Sequence, residues 1–252
     1  MTGSPEGVVE RIDAGKGEAG LYWGVAGISP RLYDYASIAE HSVMGFSVER
    51  KELFEEALSL LGELGGTFLD TVCGYTGLVL WLEPPPQRID TDPIIASSFP
   101  GLPHCVVVTD RAAMGVLPDE RFQSFSAWAL AESLYHESLH QVLSATILQE
   151  EIFVDTFHAA SGPTVHAAWR NADWTLDRSL HALFVYANIS RMRLRLLDLD
   201  MLDGGERDIL VRVRPQSIDA AKLLGEGLDP HRSAFTDRDN RLLTEIQTSL
   251  SP

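Results

Sequence analysis

Two histidines bracket a glutamate in the stretch His136-Glu137-Ser138-Leu139-His140. On a helix, residues four apart share a face, so both imidazoles can reach one ion while Glu137 points into the neighbouring sector. The flanks favour a helix. Ala127, Trp128, Ala131, Leu134, Tyr135, Leu139, Val142 and Leu143 supply apolar contacts, and neither glycine nor proline interrupts them. Imidazoles without partners are costly in so apolar a helix, which favours a metal site over a pair of satisfied core histidines.

Two histidines do not complete a site, and the third ligand separates the functions. The usual zinc-peptidase spacings fit poorly. Thr146 stands where a third histidine would follow six residues on, and the region 157–163, where a helical glutamate would fall, reads as a turn. Glu150 and Glu151 lie roughly 15 Å further along the same helix by its rise per residue, too far to close the site. His158 and His166 fall in an irregular segment and read as surface or supporting residues. His181 is the better third ligand. It opens the next long helix with Phe184, Val185 and Asn188 on its side, and an antiparallel return would bring it against the first pair. The competing reading is a helix-start histidine bonded to backbone.

Three imidazoles suit zinc and ferrous iron equally, and a site with three protein ligands keeps positions open for water or a co-substrate. Arg170 and Arg178 precede His181, and an arginine beside an open metal can clamp a carboxylate through two hydrogen bonds. For Arg178 the surface reading weighs more. Arg170 is flanked by Trp169 and Trp174, which could wall a pocket.

These residues need elements to hold them. The spacing predicts helices from Ser29-Pro30 through Ile38 and Ala39, from Ser47 to the stop at Gly65-Gly66, over about 119–152, and over about 177–199. Two more are expected at 217–224 and 237–250. Short runs at 67–73, 77–82, 94–97 and 105–109 read as strands, the alternating stretch 208–214 reads as one more, and Pro84-Pro85-Pro86 ends one of them. The expected fold is α+β: a predominantly helical single domain over 21–252 with a small, mostly antiparallel sheet, after a loose arm at 1–20. The metal site would lie between the two long helices.

Composition narrows the partners. With 252 residues and 45% hydrophobic content, a sizeable core is available. No apolar run is long enough for a membrane span. The formal net charge of −16 argues against nucleic acid and is compatible with a cationic peptide. Cys73 and Cys105 are too few for a disulfide framework and read as core residues. The N-terminal residues do not look like a secretory signal, so a cytoplasmic location is expected.

Over roughly residues 95–200 the chain resembles a family, the HExxH-type peptide-modifying proteins of bacterial ribosomal-peptide biosynthesis. The resemblance rests on Ser97-Ser98-Phe99-Pro100-Gly101, on the run from Ala131 through His140, on Trp169-Arg170, and on Leu180-His181-Ala182-Leu183-Phe184. Ala167-Ala168 and Trp174-Thr175 stand where the family has Ser-Pro and Arg-Pro. Members are α-ketoglutarate- and iron-dependent peptide β-hydroxylases, distinct from the cupin-type double-stranded β-helix oxygenases. The resemblance implies His136, His140 and His181 as Fe(II) ligands, and Arg170 ahead of Arg178 as partner of the α-ketoglutarate carboxylate. It makes Glu137 a supporting or acid/base residue. The substrate would be a ribosomally made peptide, cationic or carried on a leader. The alternative is a zinc-dependent peptidase using Glu137 as general base. A third class is a non-catalytic peptide-binding relative.

Overall fold

The computed structural model describes residues 9–12, 21–24, 41–44, 47–86, 95–99, 101–116, 120–122, 124–149 and 152–250. The helix expected through Ile38 lies outside them, as does most of the 1–20 arm. The chain forms two compact units, 1–141 and 142–252. Among the described residues, no helix is long and apolar enough to cross a membrane.

In the first unit, strands β1 (Val9–Ile12), β2 (Leu21–Gly24) and β3 (Ser42–Val43) precede helix α1 (Val48–Leu64). Ser47 caps α1 by accepting the Arg50 N–H at 3.2 Å. Leu53, Phe54, Ala57, Leu58, Leu61 and Leu64 recur at helical spacing, and all are buried. Gly65, at φ +127°, ends the helix in a conformation that side-chain-bearing residues rarely adopt.

The strand expected over 67–73 is instead helix α2 (Gly66–Tyr75). Its β-branched residues suggest a strand, but burial has helical spacing. Leu69 and Val72 turn inward, and the Thr71 hydroxyl donates to the Thr67 carbonyl one turn back at 2.7 Å. Packing overrides a weak local preference here.

Strands β4 (Leu78–Glu83), β5 (Ala96–Phe99) and β6 (Leu102–Val108) complete the main sheet, ordered β1-β2-β4-β6-β5 with β3 also on β4. The sheet is open and mixed. β2-β4 and β4-β6 are parallel, while β1-β2, β3-β4 and β5-β6 are antiparallel. Its centre is parallel, although most of its strand pairs are antiparallel, as expected. β4 is a run of Leu, Val and Trp because both its faces are covered, as parallel strands require. Leu80, Leu82, Cys105 and Val107 form one buried face, and Val79, Trp81, Val106 and Val108 are buried on the other. Burial pushes the Cys105 thiol up to about 11, in keeping with a core role.

Asp110, just past β6, joins α1 to the sheet. It accepts from the Trp81 indole at 2.7 Å and from both forks of Arg50 at 3.0–3.2 Å. A small hairpin of β7 (Gly115–Val116) and β8 (Glu120–Arg121) follows. It occupies part of the segment expected to begin the long helix, and α3 (Ala127–Gln149) starts later, after Ser126 caps the Ala129 N–H at 3.3 Å.

The second unit holds α4 (Thr156–Ser161), the antiparallel hairpin β9 (Thr164–Ala167) and β10 (Ala172–Thr175), α5 (Leu176–Leu199), α6 (Gly204–Leu228) and α7 (Asp237–Ser249). Asn171, left-handed at φ +46°, turns the hairpin. The strand expected at 208–214 lies inside α6, as does the separate helix expected at 217–224. Pro215 lies inside it, and Leu210, Val213, Ser217, Ala221 and Leu224 keep one buried helical face across it. The fully buried Arg193 of α5 reaches the Val213 carbonyl of α6 at 3.0 Å. Gly227 admits β9 so closely that a Cβ there would overlap Val165 Cγ1.

Candidate metal centre

His136 and His140 lie on one stripe of α3, both partly exposed, between residues that are almost all buried. Their Nε2 atoms are 3.2 Å apart, with the rings inclined at 61°. An ion bonded to both at about 2.1 Å would hold them about 3.0 Å apart at a right angle and about 3.4 Å at a tetrahedral one. The observed spacing lies between the two, so the pair fits one ion as placed. Without metal, the same distance lets one ring N–H donate to the other ring's lone pair.

Glu137 is buried, and its Oε1 lies 4.0 Å from His136 Nε2. Burial pushes its carboxyl up to about 7, against the opposing pull of two hydrogen bonds from Ser98. One comes from the Ser98 hydroxyl to Oε2 at 2.8 Å, the other from the Ser98 backbone N–H. Ser98 sits in β5, where the pairing with β6 slips between Ser98 and Phe99. Such irregularities bend an edge strand and re-aim its groups. The next helical residue, Ser138, is fully buried and shares a 2.8 Å hydrogen bond with Thr76. Gln141 donates to the Cys105 carbonyl at 3.4 Å. These contacts fix the rotation of α3 under the sheet, and hence the direction of His136, Glu137 and His140.

His181 belongs to the second unit, in the second turn of α5, and is partly buried. Burial lowers its pKa, with Asp177 one turn earlier pulling the other way. That favours the neutral imidazole a metal needs. Among the described residues, no group of three or more His, Cys, Asp or Glu side chains comes together as a metal-holding cluster. The geometry within the first unit therefore supplies two ligands. His158 and His166 are exposed, and His166 pairs with Asp173 across the hairpin at 2.8 Å.

Arg170 is exposed at the end of a short 3-10 turn, Ala168–Arg170. Arg178 is also exposed and lies over the Trp174 ring, 4.6 Å from its centre. Trp169 meets both Trp174 and Tyr186 edge to face. The tryptophans flanking Arg170 thus pack on each other and on the helical core of their unit.

The Ser98 contact to Glu137 is one that residue-by-residue reading missed. Ser98 lies 39 positions from Glu137, and no local pattern links the two. The chain matches no family model and no curated protein.

Proposed function

We propose that this protein is an Fe(II)- and α-ketoglutarate-dependent oxygenase that hydroxylates a side-chain β-carbon of a ribosomally made peptide. The convergence of His136 and His140 Nε2 at 3.2 Å carries the metal-dependent part of this reading. The resemblance to the HExxH peptide hydroxylases supplies the oxygenase part. Bound iron would supply the oxidising chemistry: α-ketoglutarate loses CO2 to become succinate, and the two atoms of O2 enter succinate and the peptide C–H bond.

The protein's own residues supply geometry. His136 and His140 present their Nε2 atoms to one point from one helix, and His181 is the proposed third ligand. Arg170, or else Arg178, is proposed to pair with the co-substrate carboxylate. Ser98 holds Glu137 Oε2, leaving Oε1 as the atom on the His136 side that can hold a proton. Glu137 thus serves to orient and to hold a proton.

The test is mass spectrometry of candidate precursor peptides incubated with protein, Fe(II), α-ketoglutarate and air. A peptide gain of one oxygen matched by succinate is expected, with loss of both in His140→Ala. Succinate release at the wild-type rate from His181→Ala would overturn the third ligand.

One observation favours a second reading. A buried carboxyl with a proton affinity near neutrality, beside a pair of metal-binding histidines, suits a general base. As a zinc hydrolase, the protein would cleave peptides without α-ketoglutarate or oxygen, and Glu137→Gln would abolish the cleavage.

A further inference from the structure

Strand β5 ends the main sheet, and among the described residues no strand pairs with its outer side. Which of its backbone groups face outward follows from the pairing. The Ile95 carbonyl accepts from the Thr109 N–H at 3.0 Å, so Ile95 bonds inward, and Ser97, opposite Val107, does likewise. Ala96 and Ser98, opposite Val108 and Val106, must turn their N–H and C=O groups away from β6. The Ser98 N–H confirms this direction by donating to Glu137. Among the described residues, the outer edge therefore offers the N–H and C=O of Ala96 and the C=O of Ser98, while the Ser98 N–H is already taken by Glu137.

We infer that an extended, net-cationic peptide segment adds to this edge as a strand and is delivered by it to the histidine pair; this rests on the peptide-modifying reading above. One peptide residue exchanges both backbone hydrogen bonds with Ala96. Two residues along, the peptide N–H donates to the Ser98 carbonyl, but its own C=O finds the Ser98 donor occupied by Glu137. The ladder therefore ends beside Glu137. Directly paired residues point their side chains to the same face of a sheet. The peptide residue opposite Ser98 thus presents its β-carbon on the face where Ser98 meets Glu137. Backbone pairing supplies affinity without demanding one sequence, and the chain's net charge of −16 attracts a cationic segment.

The test uses the full chain and a displayed library of lysine- and arginine-containing ten-residue peptides. The tightest binder is resynthesised with single N-methyl groups along its backbone. Weakening by at least about tenfold at two positions two residues apart, with the position between them tolerated, is expected from losing backbone hydrogen bonds. Hydrogen exchange at the Ala96 amide should slow on peptide addition, and Ala96→Pro should weaken binding to a similar extent. If that variant misfolds, the N-methyl series on the unaltered protein decides. A flat N-methyl profile, an Ala96 amide already protected without peptide, or a library yielding no binder overturns the proposal. The two readings fail separately. A peptide bound with the two-residue pattern but left unoxidised with iron, α-ketoglutarate and air keeps the edge and removes the oxygenase. An oxidised peptide with a flat profile does the reverse.

Discussion

Replacing Glu137 by glutamine should change the pH dependence of stability in a calculable way. The carboxyl is raised from 4.5 to about 7 in the folded protein because burial disfavours its charge. Below pH 4.5 it is protonated whether the chain is folded or not, and it costs nothing. As pH rises from there, the unfolded chain ionises first, so stability is lost until the folded group also ionises near 7, and the deficit is then constant. At 1.36 kcal/mol per pKa unit, the total loss is about 3 kcal/mol. Glutamine keeps the shape and an oxygen able to accept from Ser98, but cannot ionise. Urea unfolding of metal-free wild type and Glu137→Gln at several pH values between 4 and 8.5 measures the difference directly, and histidine titrations common to both proteins cancel. The variant should gain on the wild type steadily across that window, to about 3 kcal/mol above pH 7. A difference that stays flat, or that favours wild type as pH rises, would refute a buried carboxyl held at the cost of its charge. Ser98→Ala should steepen the wild-type loss, because it removes a hydrogen bond that favours the carboxylate.

The histidine pair predicts that the protein binds cobalt(II) in a one-to-one complex with visible absorption. His136→Ala and His140→Ala should each weaken that binding by at least about a hundredfold, since each removes a bond the ion cannot replace. Unchanged affinity in both would leave the pair as a ring-to-ring hydrogen bond in a metal-free helix. In the second unit, Gly227→Ala should cost about 1–3 kcal/mol because the new Cβ meets the stiff Val165 side chain. Thermal unfolding or hydrogen exchange in α6 checks this, and Gly204→Ala, where nothing lies within 4 Å, is the control.

Local patterns determined much of this protein. Helices α1, α3, α5 and α7 were legible because their buried residues recur at 3.6-residue spacing within the segment itself. The histidine pair was legible for the same reason: residues four apart on a helix meet whatever surrounds them. The segments misread were those where neighbours outweigh short-range preference. Residues 67–73 carry β-branched side chains but bury Leu69 and Val72 against other elements, and 208–214 alternate yet lie within a helix that runs through Pro215. The parallel pairing of β4 with β2 and β6 depends on elements far along the chain. Tertiary structure alone decided what surrounds the histidines. Glu137 acquires its proton affinity from burial, and Ser98, 39 positions earlier in the chain, reaches it only through the packing of β5 and α3. Histidine spacing is a property of one helix. The edge that reaches Glu137 is a property of two segments brought together by the fold, and no pattern within either of them encodes it.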